Sequence, residues 1–164
     1  MTSSGGKMMN DGFTLGLMGL LAAVLLWIAV VDVKTYTISD RLNAAIALLA
    51  PVYWWSAGVP FWPDAAIRIG VGVLVFLLFA GAFYLNAMGG GDVKLAGALA
   101  LWFTPYETLK LIVIMSIAGG LLTLVVVGIH RFRRKDGRPE VPYGVAIAVG
   151  GMWLLAQRFL NHFV

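Results

Sequence analysis

An all-α, polytopic membrane protein with about six transmembrane helices is what this sequence predicts, on three observations. Hydrophobic residues fill 60% of the 164 positions and charged residues only 12%, about half the charged share of a soluble domain. The mean hydropathy is +0.88. The apolar residues gather into runs of bilayer-spanning length, and every polar stretch between them is too short to enclose a core of its own. The expected organisation is a small, polar, flexible segment over residues 1–12 and one membrane-embedded domain over 13–164.

The first apolar run, Phe13–Val31, is about 28 Å long as a helix and long enough to cross a bilayer. It lacks the small-residue cleavage site of a secretory signal. Further runs cover Ala44–Val59, Ile67–Asn86, Leu95–Phe103, Leu109–Ile129 and Tyr143–Leu160. Pro51 is expected to kink the second. The fourth is short unless it extends back through Asp92 or forward past Pro105, and reads as partly re-entrant. Tyr53, Trp54, Trp55, Phe61 and Trp62 read as a belt at headgroup level. The pairs Gly119-Gly120 and Gly150-Gly151 and the spacing Gly12-x-x-x-Gly16 permit close helix contact.

Basic residues set the expected orientation. With the N-terminus outside, the inward loops 32–43, 88–94 and 130–142 hold Lys34, Arg41, Lys94, Arg131, Arg133, Arg134, Lys135 and Arg138, eight of the twelve basic residues. Lys7, Arg68, Lys110 and Arg158 remain for the other side. The bias follows the positive-inside rule. The formal charge of +4 belongs to these loops, so nucleic acid is not an expected partner. There are no cysteines, which excludes disulfides, thiol nucleophiles and zinc–thiolate sites. His130 and His162 lie at polar ends and make no metal site, and no cofactor is expected.

Chemistry concentrates in Met88-Gly89-Gly90-Gly91-Asp92-Val93-Lys94, a carboxylate behind three glycines at the mouth of an apolar run. Asp32 closes the first run, and the predicted topology delivers it to the same membrane face as Asp92. Two acids that meet there cannot both ionise cheaply, so one proton is shared and one apparent pKa rises. Such a pair can activate a water and protonate a scissile carbonyl. Gly89, Gly90 and Gly91 allow backbone conformations closed to other residues and leave room for a second backbone. Taken alone, the same residues read equally well as a flexible turn ending in an N-cap aspartate. Lys94 reads equally as a group that orients the acidic site and as an inward topology charge. Asp40 reads as a turn or N-cap residue, and Asp136 and Glu140 offset charge in the basic loop.

The stretch from Met88 through Asp92 to Trp102 resembles the Gly-x-Gly-Asp segment of the type IV prepilin peptidases. The run from Asp32 through Ile38-Ser39-Asp40 to Asn43 is similar to that family's first aspartate motif, and Pro142-Tyr143-Gly144 to its entry into the last helix. The resemblance implies a membrane aspartic endopeptidase with Asp32 and Asp92 as the catalytic pair and Gly89 and Gly91 shaping the loop. It implies a site at the cytoplasmic face of the bacterial inner membrane. The implied partners are prepilin or pseudopilin precursors, the lipid bilayer and the pilus assembly machinery. Ser39 stands where the family has proline. The larger members carry a cysteine-bearing insert coupled to N-methylation, for which this chain has neither cysteine nor room, so it is similar to the short, peptidase-only branch serving Flp/Tad pili. The presenilin-like branch shares Gly-x-Gly-Asp but ends on Pro-Ala-Leu, where this chain has Pro-Tyr-Gly. A competing reading is a small ion- or proton-coupled carrier that relays protons through Asp32 and Asp92.

Overall fold

The computed structural model describes residues 4–132 and 141–162, with side chains over 11–132 and 141–161. Six α-helices follow one another: α1 Ser4–Thr35, α2 Asp40–Ser56, α3 Ala66–Tyr84, α4 Gly90–Ala100, α5 Pro105–Phe132 and α6 Tyr143–His162. A short π-helical turn, Phe61–Ala65, leads into α3. The architecture is a polytopic, all-α membrane protein, as the apolar runs predict. Four segments are long and apolar enough to cross a bilayer: Asp11–Thr35, Phe61–Tyr84, Pro105–Phe132 and Tyr143–Asn161. Six helices match the number expected, and two of them are shorter than these four segments. The 17 residues of α2 reach about 25 Å and the 11 of α4 about 16 Å, against a hydrocarbon core of about 30 Å.

Helical backbone begins at Ser4, inside the polar segment 1–12. The fourth helix extends back through Asp92, which lies in its first turn, and stops before Trp102. Pro51 is accommodated inside α2 without ending it. The Arg133, Arg134, Lys135, Asp136, Arg138 and Glu140 cluster lies outside the described residues.

The bundle is organised around α4. Residues 92, 93 and 95–100 are all buried, because α2, α3 and α6 surround the helix. Close approach explains the small residues there: a Cβ on Gly97 would stand 3.1 Å from the Phe76 Cβ, and one on Gly72 2.7 Å from Leu101 Cδ2. Gly150 and Gly151 likewise seat α6 against Leu111 and Leu25, whereas Gly12 and Gly16 face open space.

At the end of α4 away from Asp92, polar side chains converge on its final carbonyls. The Trp54 indole donates to the Leu101 carbonyl at 2.8 Å. Arg68 and Arg158 both donate to the Trp102 carbonyl, at 3.0 and 3.1 Å. Arg158 also grips Glu107 in a two-pronged pair, at 2.8 and 2.5 Å, and donates to the Tyr53 hydroxyl at 2.7 Å. Glu107 is fixed by the start of α5: Thr104 Oγ1 and the Thr104 N–H each lie 2.8 Å from its carboxylate. Thr104-Pro105-Tyr106-Glu107 is thus a capping box with proline at the first helical position.

Two sequence expectations are corrected at this end. Tyr53 and Trp54 are buried, and Tyr53 stacks on Trp102 at 5.0 Å. Of the five aromatics, Trp55, Phe61 and Trp62 remain exposed as a belt requires. Arg68 and Arg158, counted above as topology charges, point into the bundle instead.

Removing Glu107 would leave the Arg158 guanidinium in low dielectric without its counter-charge. Glu107→Ala is expected to destabilise the folded protein by about 3–5 kcal/mol. Thermal unfolding in detergent measures this, and an unchanged midpoint would contradict the clamp.

Candidate active site

Asp32 and Asp92, separated by sixty residues of chain, line one cavity of about 560 Å³. Its walls are the turn Thr35–Thr37 after α1, Phe83 and residues 86–89 before α4, and Val141 and Tyr143 at the start of α6. Both carboxylates are buried, Asp32 to 3% exposure and Asp92 to 8%.

Asp32 is delivered by the last turns of α1. The helix closes there with Tyr36 in the left-handed region, φ 52°, its N–H bonded to the Asp32 carbonyl at 2.9 Å. A bulky residue adopts that conformation at a cost, so the turn beside the acid is held by its surroundings. From the other side, α6 presents its N-terminus: the Val145 N–H lies 3.3 Å from Asp32 Oδ2. Only glycine fits at 144, since a Cβ there would sit 2.8 Å from both Asp32 Oδ2 and Ile38 Cδ1. This gives Pro142-Tyr143-Gly144 a physical role that the sequence pattern alone does not specify.

Asp92 enters from the first turn of α4, which is not among the four spanning segments. The three glycines before it are not interchangeable. A Cβ on Gly89 would lie 2.8 Å from Asp92 Oδ2, and one on Gly91 3.1 Å from the Ile38 Cβ and 3.2 Å from its carbonyl, whereas at Gly90 the nearest atom is a Phe83 ring carbon at 3.4 Å. None of the three adopts a positive φ; Gly58 is the one glycine among the described residues that does. The expected conformational freedom is therefore unused, and close approach of the Ile38 backbone is what excludes a side chain at 91.

Lys94 turns away from this cavity. Its Nζ bonds Asp40 Oδ1 at 2.7 Å, a largely exposed pair. Both residues border a separate apolar groove of about 600 Å³ between α2, α3 and α4. Asp40 is the first residue of α2, with Ser39 at the N-cap position. Ser39 has φ −66°, the value a proline would impose, so serine holds there the backbone conformation that the resembled family fixes covalently.

Burial, and next the Asp32 charge, push the Asp92 carboxyl up to about 7, against a backbone hydrogen bond from Gly89. An acid tuned to neutrality beside a second carboxylate can hold a proton and deliver it under physiological conditions. Tyr143 lines the cavity and Asn43 borders the apolar groove behind it; the sequence reading singled out neither for a role. Tyr143 shares a 3.4 Å contact with Thr123 through its hydroxyl. Asn43 ends the run that resembles the family's first aspartate motif, but that pattern assigns it no role.

Gly90→Ala is expected to keep its activity within about threefold, while Gly89→Ala and Gly144→Ala displace a carboxylate and lose at least about tenfold; initial rates on one peptide substrate compare them. The Asp92 shift also predicts a pH effect on stability. Between the ordinary value of 3.8 and about 7, the folded chain keeps a proton that the unfolded chain has released, so stability falls as pH rises through that window. Asp92→Asn should therefore unfold at a higher temperature than the parent above pH 7, with the gap closing toward pH 4. Parallel curves would contradict the shift.

Comparison with known proteins agrees with this geometry. Residues 19–124, more than half of the chain, match the family described as the type IV leader peptidase family. The chain is 26% identical over 146 residues to a prepilin leader peptidase/N-methyltransferase of Pectobacterium carotovorum subsp. carotovorum, covering 87% of this chain and 51% of that protein. It is 28% identical over 151 residues to a protein of the same description from Burkholderia pseudomallei strain 1026b, covering 86% and 46%. The chain thus spans about half the length of the curated relatives it matches. No solved structure matches it. With both aspartates facing one cavity and the family match running from α1 into α5, the chain belongs to the type IV leader peptidase family.

Proposed function

We propose that this protein is a membrane aspartic endopeptidase that removes the leader of Flp/type IVb-like prepilin precursors at the cytoplasmic face of the inner membrane. In this reading Asp32 and Asp92 are the catalytic pair, and N-methylation is not part of the activity. One observation carries it: two buried carboxylates from separate helices open onto the same cavity, one of them tuned to about 7.

The mechanism follows from that asymmetry. Asp92, protonated below about pH 7, donates to the oxygen of the scissile carbonyl. Asp32, whose carboxylate receives the Val145 N–H at the head of α6, takes a proton from a water that attacks the carbonyl carbon. The C–N bond of the tetrahedral intermediate then breaks as the leaving nitrogen gains the proton held by Asp32. Asp92 recovers its own proton as the carbonyl reforms, so the pair ends as it began.

Substrate and orientation follow from placement. Lys34, Arg41 and Lys94 lie in sequence beside the segments that carry the site, in keeping with a cytoplasmic cavity under the positive-inside rule. A precursor whose apolar helix is embedded in the bilayer presents its leader junction at that level. The similarity of the motifs to the short Flp/Tad-serving branch supports the peptidase-only reading.

In membranes containing the enzyme and a Flp-type prepilin, Asp32→Asn and Asp92→Asn are each expected to slow leader removal by about 10²–10⁴-fold. Wild-type membranes should release the unmethylated product with its leader on the cytoplasmic side. Normal processing by either variant would remove the catalytic assignment.

A further inference from the structure

Asn43 is 4% exposed in the first turn of α2, among side chains that are otherwise apolar or charged at the surface. Its Nδ2 donates to the Gly91 carbonyl at 3.0 Å, across 48 residues of sequence. Its Oδ1 is enclosed and meets no donor among the described residues. A buried amide that leaves its acceptor orphaned is a poor device for stability, because an apolar side chain of the same shape would bury no unsatisfied group.

What the amide does fix is one peptide plane. The Gly91 carbonyl belongs to the same planar unit as the Asp92 nitrogen, so restraining that oxygen restrains the orientation from which the Asp92 side chain departs. On another side of Gly91 stands Ile38, whose carbonyl and Cβ would lie 3.2 and 3.1 Å from a Cβ there. Ile38 in turn touches the space beside Asp32, since a Cβ on Gly144 would meet Ile38 Cδ1 and Asp32 Oδ2 at the same 2.8 Å. The segment 38–43, which follows directly from the turn after Asp32, therefore grips the residue preceding Asp92 by packing and by one directed hydrogen bond.

We infer that Asn43 is a positioning residue: its side-chain amide, through the Gly91 carbonyl, sets the aim and separation of Asp92 relative to Asp32. The inference rests on the proposed catalytic pair, and the residue itself touches neither carboxylate. The neighbouring Asp40–Lys94 pair links the same two helices but is largely exposed and adds little rigidity. The hydrogen bond to Gly91 is the tie that reaches the peptide of the acid.

The test compares wild type, Asn43→Leu, Asn43→Ala and Asp92→Asn in detergent, by cleavage kinetics on a Flp-type prepilin and by thermal unfolding. Asn43→Leu is expected to unfold no earlier than wild type while kcat falls by about 10- to 100-fold and KM stays within twofold. Asn43→Ala should show the same kcat loss, with KM likewise held. Two results would overturn the inference while leaving the pair intact: full kcat in the Asn43 variants beside a dead Asp92→Asn, or a kcat loss in both Asn43 variants that simply follows a fall in unfolding temperature. Wild-type cleavage by Asp92→Asn would instead overturn the catalytic reading on which the inference stands.

Discussion

The need to satisfy the carbonyl end of a short helix inside an apolar bundle shapes this protein more than any other constraint. In lipid, a backbone polar group has no water to fall back on. α4 is too short to carry its ends to the aqueous phases on both sides, so its last carbonyls are met by side chains from other helices. At its C-terminal end the Leu101 and Trp102 carbonyls take the Trp54 indole and two guanidinium groups, Arg68 and Arg158. At its N-terminal end stands the acid Asp92, and Asn43 ties the Gly91 carbonyl to α2. Cations at one pole and an acid at the other match the charge distribution of the helix dipole, so the same helix that needs capping also provides a place for a carboxylate.

This arrangement explains why the charged groups, scarce as they are, sit where they do. Glu107 is held by its own capping box and offered to Arg158, which joins α5 and α6 to the end of α4. A buried ion pair of this kind is an uncertain contributor to net stability. Its directed hydrogen bonds nevertheless define where α4 stops. The opposite pole then has little freedom, and the peptide units before Asp92 are set by contacts with Ile38 and Asn43.

Much of this was legible in the sequence, for identifiable reasons. Long apolar runs are unambiguous signals, and five of the six helices fall on them. The glycines before Asp92 and the delivery of Asp32 to the same membrane face marked the site region. What misled was the reading of charge and aromatic residues by their place along the chain alone. Arg68 and Arg158 look like topology charges, and Tyr53 and Trp54 like interface residues, because hydropathy carries no information about which face of a helix is turned inward. The Thr104-Pro105-Tyr106-Glu107 box was available as a signal for the start of α5 and for the fixed carboxylate. The contact Asn43 makes was not, since its partner is a backbone carbonyl 48 residues away that no local pattern announces.

The two acids arrive on helices from different parts of the chain, α1 and α4, and the α6 N-terminus closes over the first of them. Under the proposed function, a polypeptide still emerging from the ribosome carries half a reaction centre for as long as its later helices are unmade. Proteolytic competence is then born only with completion of the fold. Newly inserted copies are harmless to their neighbours by construction, with timing supplied by chain order itself.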